Sequence, residues 1–160
     1  MGKIVYKPIG IIHSDYKQKE GVPIQGALSK NSRGKVEVFP EYQPGLKDIE
    51  GFSHIILLYH FHLSEAYSLL TKTFLDDEEH GIFACRAPRR PNPIGISVVK
   101  LKKIVGNTLY ITEADIIDGT PLLDIKPYVS KFDVRTNTKD GWLTERLKDN
   151  EKHRSDNRFS

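Results

Sequence analysis

Apolar and polar residues alternate in short runs along this chain, and glycine or proline interrupts most of them. Lys35-Val36-Glu37-Val38-Phe39 alternates strictly, which predicts a half-buried strand that Pro40 ends. Residues 55–62 are the most apolar stretch, and their length and bounds suit a buried central strand. Residues 4–12 are rich in β-branched side chains but contain Pro8 and Gly10, as a kinked or edge strand would. Residues 82–85 read as a short strand. Residues 95–105 and 109–117 read as a strand pair joined tightly at Gly106-Asn107. Asp118-Gly119-Thr120-Pro121 is a turn, and residues 122–128 form a further strand ended by Pro127.

Helical signals are few. Ser64 is placed to cap a helix over residues 65–72, with Ala66, Leu69 and Leu70 facing inward. Residues 46–51 suit a single helical turn and residues 140–147 a short helix, while residues 149–160 lack apolar periodicity and read as frayed. Residues 14–34 form a long polar loop, within which residues 21–26 read as a plain turn. Many short strands, few helices and frequent turns predict a mainly β fold, a barrel or a sandwich; strands do not alternate with long helices, which excludes a doubly wound sheet.

Composition narrows this picture. A chain of 160 residues with 38% hydrophobic and 28% charged content fits one globular domain with a real core. Cys85 is the only cysteine, so no internal disulfide forms and a reducing, cytoplasmic setting is expected. No apolar run reaches membrane-spanning length, and the start of the chain lacks a signal-peptide core. The net charge of +3 is modest, but its distribution is not. Arg86, Arg89, Arg90, Lys100, Lys102 and Lys103 follow one another with no acid between them, and Glu113, Asp115, Asp118 and Asp124 follow with no base between them. Neighbouring segments of opposite sign suit a ligand carrying both charges.

The first of these begins in Arg86-Ala87-Pro88-Arg89-Arg90-Pro91-Asn92-Pro93, a stiff strap, because each proline fixes φ and holds the residue before it extended. Its guanidinium groups suit phosphates and carboxylates. His60 and His62 share a strand face, but no third metal ligand is evident; a histidine lining a pocket is the simpler reading, and no metal is expected. Residues 76–79 read as a solvated acidic loop. Cys85 fits a small core residue better than a nucleophile. Asp118 and Thr120 fit turn capping, and Lys126 fits either a surface charge or a phosphate contact. No dinucleotide or P-loop glycine fingerprint is present.

Ile82-Phe83-Ala84-Cys85-Arg86, Arg90-Pro91-Asn92-Pro93-Ile94-Gly95-Ile96-Ser97, Asp115-Ile116-Ile117-Asp118-Gly119-Thr120-Pro121 and Asp124-Ile125-Lys126-Pro127-Tyr128 occur in that order. With Ile9-Gly10-Ile11-Ile12-His13-Ser14 and Phe52-Ser53-His54-Ile55, this arrangement resembles the TsaA-like (TrmO-type) family of tRNA (adenine-N6)-methyltransferases in its short form, over residues 4–135. The resemblance implies a small antiparallel β-barrel over residues 1–135, one or two short helices, and a C-terminal segment over 136–160. It implies a homodimer that binds S-adenosyl-L-methionine near its interface and methylates N6 of threonylcarbamoyl-adenosine beside a tRNA anticodon. Cofactor contacts would fall on Pro23, Ile24, Gln25, His62, Leu63, Arg86, Ile96, Asp115, Ile116, Ile117 and Asp118. Leu63 stands where relatives carry glutamine, leaving only backbone or apolar contact there.

Arg89, Arg90 and Lys126 are the RNA-binding candidates, and Tyr59, Phe61 and Tyr128 the aromatics suited to stack on a base. No residue is singled out as a general base. The chain ends before the extra C-terminal domain of the bacterial long forms, so tRNA contacts made there are expected to be missing or replaced. The competing classes are a non-catalytic β-barrel RNA reader and a hydrolase pairing Cys85 with His60 or His62.

Overall fold

A computed structural model describes residues 1–17 and 31–153, with side chains through residue 148. Six antiparallel strands close into a barrel in the order β1 (Gly10–Ser14), β2 (Arg33–Val38), β7 (Thr108–Thr112), β6 (Ile94–Val105), β3 (His54–His60) and β8 (Thr120–Pro127). A hairpin of β4 (Leu70–Lys72) and β5 (Glu79–Gly81) stands apart from it. Among the described residues, helices are confined to three 3-10 turns, a four-residue α1 (Ser130–Asp133) and α2 (Leu143–His153).

The barrel follows from period-two patterning. β1 and β3 alternate fully between buried and half-buried positions, as strands with one core face and one outer face must. Ile12, Val36, Ile55, Leu57, Val99, Leu109, Ile111 and Leu122 fill the interior and are 0–2% exposed. A barrel this small encloses packed side chains rather than a channel. Leu46 and Ile49 close one mouth. There the β6–β7 hairpin is stapled to β2, because Asn107 Nδ2 donates to the Val38 carbonyl at 2.6 Å and the Val38 amide donates back to Asn107 at 2.9 Å. Gly10 is needed where β1 crosses β2, since a Cβ there would stand 2.3 Å from the Glu37 carbonyl oxygen.

Several local expectations give way to tertiary context. The strand starts at Gly10 rather than Ile4, and Ile4, Val5 and Tyr6 are exposed, because the chain first bonds its neighbours at Ile9. β-branching without a ladder partner does not make a strand. No helix follows Ser64: its hydroxyl donates to the Pro88 carbonyl, Leu69 and Leu70 are exposed, and Leu70 enters β4. Residues 82–84 form a 3-10 turn rather than a strand. β7 stops at Thr112 because Glu113 takes a left-handed φ of 64°. β3 is buried on one face only. The segment read as frayed is helical as far as His153.

The acidic loop is also built differently. The Asp76 side chain is 5% exposed, and its carboxylate accepts from His80 Nε2 at 3.0 Å and Arg146 Nε at 3.4 Å. Burial alone would raise the Asp76 pKa; hydrogen bonds from His80 and the Glu78 amide, with the nearby charges, outweigh it and hold the carboxyl below its ordinary range. Trp142 stacks on His80 at 3.9 Å, and its indole N–H donates to the Ala84 carbonyl at 2.9 Å. One cluster therefore clasps the start of α2 to the β4–β5 hairpin and to the turn before Arg86. Asp76→Asn should accelerate proteolysis around residues 139–148 while leaving the barrel's unfolding free energy in urea within about 0.5 kcal/mol, as for a change outside the barrel core. Unchanged cleavage rates would remove Asp76 from the clasp.

Candidate active site

One mouth of the barrel gathers the ends of β1, β3 and β7 and the starts of β2, β6 and β8. The segment after β7 crosses it. Ala114 and Ile116 are buried, so Asp115 and Ile117 are turned toward the partly exposed rim. Ser14 holds this segment twice: its hydroxyl donates to the Ile116 carbonyl at 2.5 Å and its amide to Asp118 Oδ1 at 3.0 Å. The Asp118 amide donates to the Tyr16 carbonyl, the Gly119 amide to the Ile12 carbonyl and the Thr120 hydroxyl to the Ile117 carbonyl at 2.7 Å. A hydrogen bond from Lys17 Nζ, at 2.5 Å, does most to lower the Asp118 pKa; burial opposes it, and the Ser14 amide and the Lys17 and His13 charges assist.

Inside the mouth runs a polar chain that the sequence reading missed. Ser97 Oγ lies 2.6 Å from Asp115 Oδ1 and 2.9 Å from Tyr59 Oη. An ionised carboxylate only accepts, so Ser97 gives its single proton to Asp115 and Tyr59 donates to Ser97. Tyr59 and Ser97 are 5% and 7% exposed. The β3–β6 register makes this arrangement, pairing Tyr59 with Gly95 and Leu57 with Ser97. A Cβ on Gly95 would stand 2.2 Å from the Tyr59 ring, so the ring lies over a residue with no side chain. Burial pushes the Tyr59 phenol up to about 12; the Asp115 charge adds to this and the Arg86 charge opposes it. Tyr59 therefore lies within the fields of both the acid and the arginine.

The strap is laced to the chain beside it. The Phe61 amide donates to Pro93, the Ser68 amide to Arg89 and the Ser64 hydroxyl to Pro88. Arg90 Nη1 donates to the Ile82 and Cys85 carbonyls at 2.9 and 2.7 Å, which fixes the turn leading into Arg86. Arg90 is thus a structural staple before it is an RNA contact; Arg86 and Arg89 are exposed. Cys85 Sγ approaches the Gly81 and Ile82 carbonyls rather than a histidine, and the residue is half-buried rather than part of the core.

Of the other expected cofactor contacts, His62 Nδ1 lies 3.4 Å from the Thr120 hydroxyl, beside Ile117 and Asp118. Burial, then the His60 charge, lowers the His62 pKa and favours its neutral form. Ile96 and Leu63 are 50% and 40% exposed. The Ile116 side chain points into the core and its carbonyl is taken, so only its amide could meet a ligand. Pro23, Ile24 and Gln25 lie outside the described residues.

Lys126 does not join this mouth. It sits opposite Ile56, far along β3 from His60, and pairs with Asp124 at 2.8 Å. Tyr128 packs edge-on against His54 at that same far end, and Tyr59 is too buried to stack on a base. Phe61, edge-on to Tyr59 at 5.5 Å and half-buried, stays at the mouth. A cleft of about 1230 Å³ lies on the outer side of Asp118 and, among the described residues, shares only that one with the expected cofactor set.

A closed six-stranded barrel with a carboxylate-rich crossing segment and an arginine strap at one mouth defines a class of domain built without a Rossmann sheet. The chain belongs to the tRNA-methyltransferase O N-terminal domain family, which matches residues 11–134. It is 58% identical to a probable S-adenosyl-L-methionine-binding protein of Pyrococcus abyssi, over 98% of this chain and 85% of that protein. It is 35% identical to a mouse tRNA (adenine(37)-N6)-methyltransferase over 82% of this chain but only 32% of that enzyme. A crystal structure of TrmO from Pseudomonas aeruginosa superposes with a TM-score of 0.75 at 35% identity, covering 88% of this chain and 63% of that one.

The fold favours the protonated Tyr59 phenol, so its contribution is complete below pH 10.0 and is lost as pH rises toward about 12. Two pKa units correspond to about 3 kcal/mol. In a tyrosinate absorbance titration one of the seven tyrosines should ionise last, and Tyr59→Phe should remove that step. Seven tyrosines titrating together would contradict this account. Gly95→Ala should destabilise the barrel by about 1–3 kcal/mol through overpacking against the Tyr59 ring, whereas Gly81→Ala, with open space around its Cβ, should not. Equal urea midpoints for the two variants would contradict the packing argument.

Proposed function

We propose that this chain is an S-adenosyl-L-methionine-dependent tRNA methyltransferase acting on N6 of N6-threonylcarbamoyladenosine at position 37, beside the anticodon, in the cytoplasm and as a homodimer. Residues 1–135 carry the catalytic domain, and 136–160 form a C-terminal segment. The observation that carries this reading is the Tyr59–Ser97–Asp115 chain at the arginine-bearing mouth, in a chain whose relatives include tRNA (adenine(37)-N6)-methyltransferases of mouse and human.

The residues present fit the cofactor. It joins a cationic sulfonium and an ammonium to a carboxylate, a ribose and an adenine. Carboxylates at Asp115 and Asp118 suit the cationic and hydroxyl groups, Arg86 suits an anionic or acceptor group, and the exposed Ile96 and Leu63 suit the apolar faces. His62 and the amides of Ile116 and Ile117 border the same mouth, and Pro23, Ile24 and Gln25 complete the set. Bound there, the cofactor supplies an electrophilic methyl group.

The protein's own part is largely positioning and electrostatics. Ser97, held in turn by Tyr59, fixes the Asp115 carboxylate. Asp115 can then receive a hydrogen bond, or the proton, from the substrate's N6 as that nitrogen attacks. Phe61 is the aromatic best placed to stack on the base, and Arg89 the strap residue freest for RNA phosphate; Arg90 and Lys126 act there only beyond their internal bonds.

Dimerisation has a physical basis on the outside of β6. Ile94, Ile96 and Val98 are 41%, 50% and 40% exposed on one face, an apolar stripe that a second copy would cover. Such an interface would bring Ile96, and the mouth beside it, against the partner.

Purified protein with the cofactor should add one methyl to threonylcarbamoyl-adenosine in tRNA, read by mass spectrometry of digested nucleosides. No added methyl on any cognate tRNA would overturn the enzymatic reading, and tRNA binding without calorimetric cofactor binding would make the barrel an RNA reader. Arg86→Ala should weaken cofactor binding by about 10- to 100-fold, the worth of one charge-assisted hydrogen bond. Unchanged affinity would take Arg86 out of the site.

A further inference from the structure

The cleft outside Asp118 crosses the outer faces of β2, β7 and β6, and four of the cations lining it have no acidic partner among the described residues. Arg33 and Lys35 project from β2, and Lys100 and Lys102 from β6; none of them forms an ion pair among the described residues. The acids at the cleft's edge are accounted for differently: Lys17 pairs with Asp118, His13 Nε2 lies 3.4 Å from Glu37, and Asp15 and Glu113 sit at the end nearest the barrel mouth.

Two further features make this face more than a lysine-rich strand surface. The β6–β7 register shifts between Leu101 and Lys103, and this bulge turns both Lys102 and Lys103 outward where simple alternation would bury one. Tyr110, paired with Lys35 on one side and Lys103 on the other, holds both ammonium groups over its ring, 5.4 and 4.6 Å from the centroid. Cation–π contacts fix these side chains in advance and reduce the ordering entropy a ligand would otherwise have to offset. Residues two apart on a strand repeat every ~6.7 Å, and neighbouring strands lie ~4.8 Å apart, so the charges form a regular array rather than a point site.

We propose that this face, from Arg33 and Lys35 across Tyr110 to Lys100, Lys102 and Lys103, binds the phosphate backbone of the substrate RNA. The cleft begins at Asp118, so an RNA strand lying along it is led to the candidate active site. The contact is electrostatic and blind to sequence; it sets affinity and orientation, and the mouth selects the base. This inference rests on the proposed tRNA substrate but uses a surface distinct from the strap.

The test is tRNA binding by fluorescence anisotropy across a potassium chloride series. The proteins are the wild type, Lys35→Glu/Lys100→Glu/Lys102→Glu, and the milder Lys100→Gln/Lys102→Gln. All the altered side chains are exposed on the outer face, and calorimetric cofactor binding checks that the site is intact. The triple variant should bind tRNA at least tenfold more weakly. Each lost phosphate contact should reduce the slope of log affinity against log salt by about 0.7–0.9. The milder pair should fall between, with cofactor affinity unchanged in both. Wild-type tRNA binding matched by both variants in affinity and slope would overturn the surface while leaving the proposed function standing. A wild-type protein that binds the cofactor but no tRNA would overturn both.

Discussion

The Tyr59 ring lies against the backbone of Gly95, and much of the barrel mouth depends on that contact. The pairing of β3 with β6 brings a bulky phenol opposite the one residue type with no side chain to displace it. With the ring seated there, its hydroxyl reaches Ser97 and Ser97 reaches Asp115, so a core contact orients a carboxylate on the rim. The arrangement has an energetic cost. A phenol in a nearly dry site loses its hydration, and the hydrogen bond to Ser97 offsets part of that loss. A satisfied buried network of this kind rigidifies what it holds.

The strap and the C-terminal segment build on this mouth from outside. Prolines stiffen the strap, but hydrogen bonds to residues 61–68 place it, and Arg90 ties its start to the 82–85 turn. Trp142 bonds the same turn from the far side, so the backbone just before Arg86 is held by groups more than fifty residues apart in sequence. Arginines adjacent in the sequence have different tasks: one Arg90 nitrogen is taken up by carbonyls, while Arg86 and Arg89 are exposed.

How much of this was legible depends on the range of the interactions. The strand read over residues 35–39 was legible from local alternation, and those read over 55–62, 95–105 and 122–128 from short apolar runs bounded by turn signals. Residues 4–9 carried the same β-branched signal, but only Ile9, at the edge of β1, meets neighbouring strands. The helix expected after Ser64 rested on three apolar positions, and neighbouring strands and the strap decided that segment instead. Asp76 looked like one of four solvated acids; it is buried against His80 and against Arg146, the latter seventy residues on. Ile116, Asp118 and the histidines could be named from sequence, but the Tyr59–Ser97–Asp115 chain could not. The one available signal was Tyr59 and Gly95 on strands that might pair, and their register is a tertiary property.

Closure of the sheet has a consequence for how such a protein can change over evolutionary time. An open sheet can grow by adding a strand at its edge, but a barrel that pairs β1 with both β2 and β8 has no edge to extend. New length must enter at the rims or at the two ends of the chain, so the core strands can stay unaltered while size varies widely. The related proteins fit that constraint: this chain accounts for 85% of one relative and 32% of another, yet aligns over at least four-fifths of its own length with each. The rim loops and the termini are therefore the places where substrate choice can diversify without renegotiating the barrel.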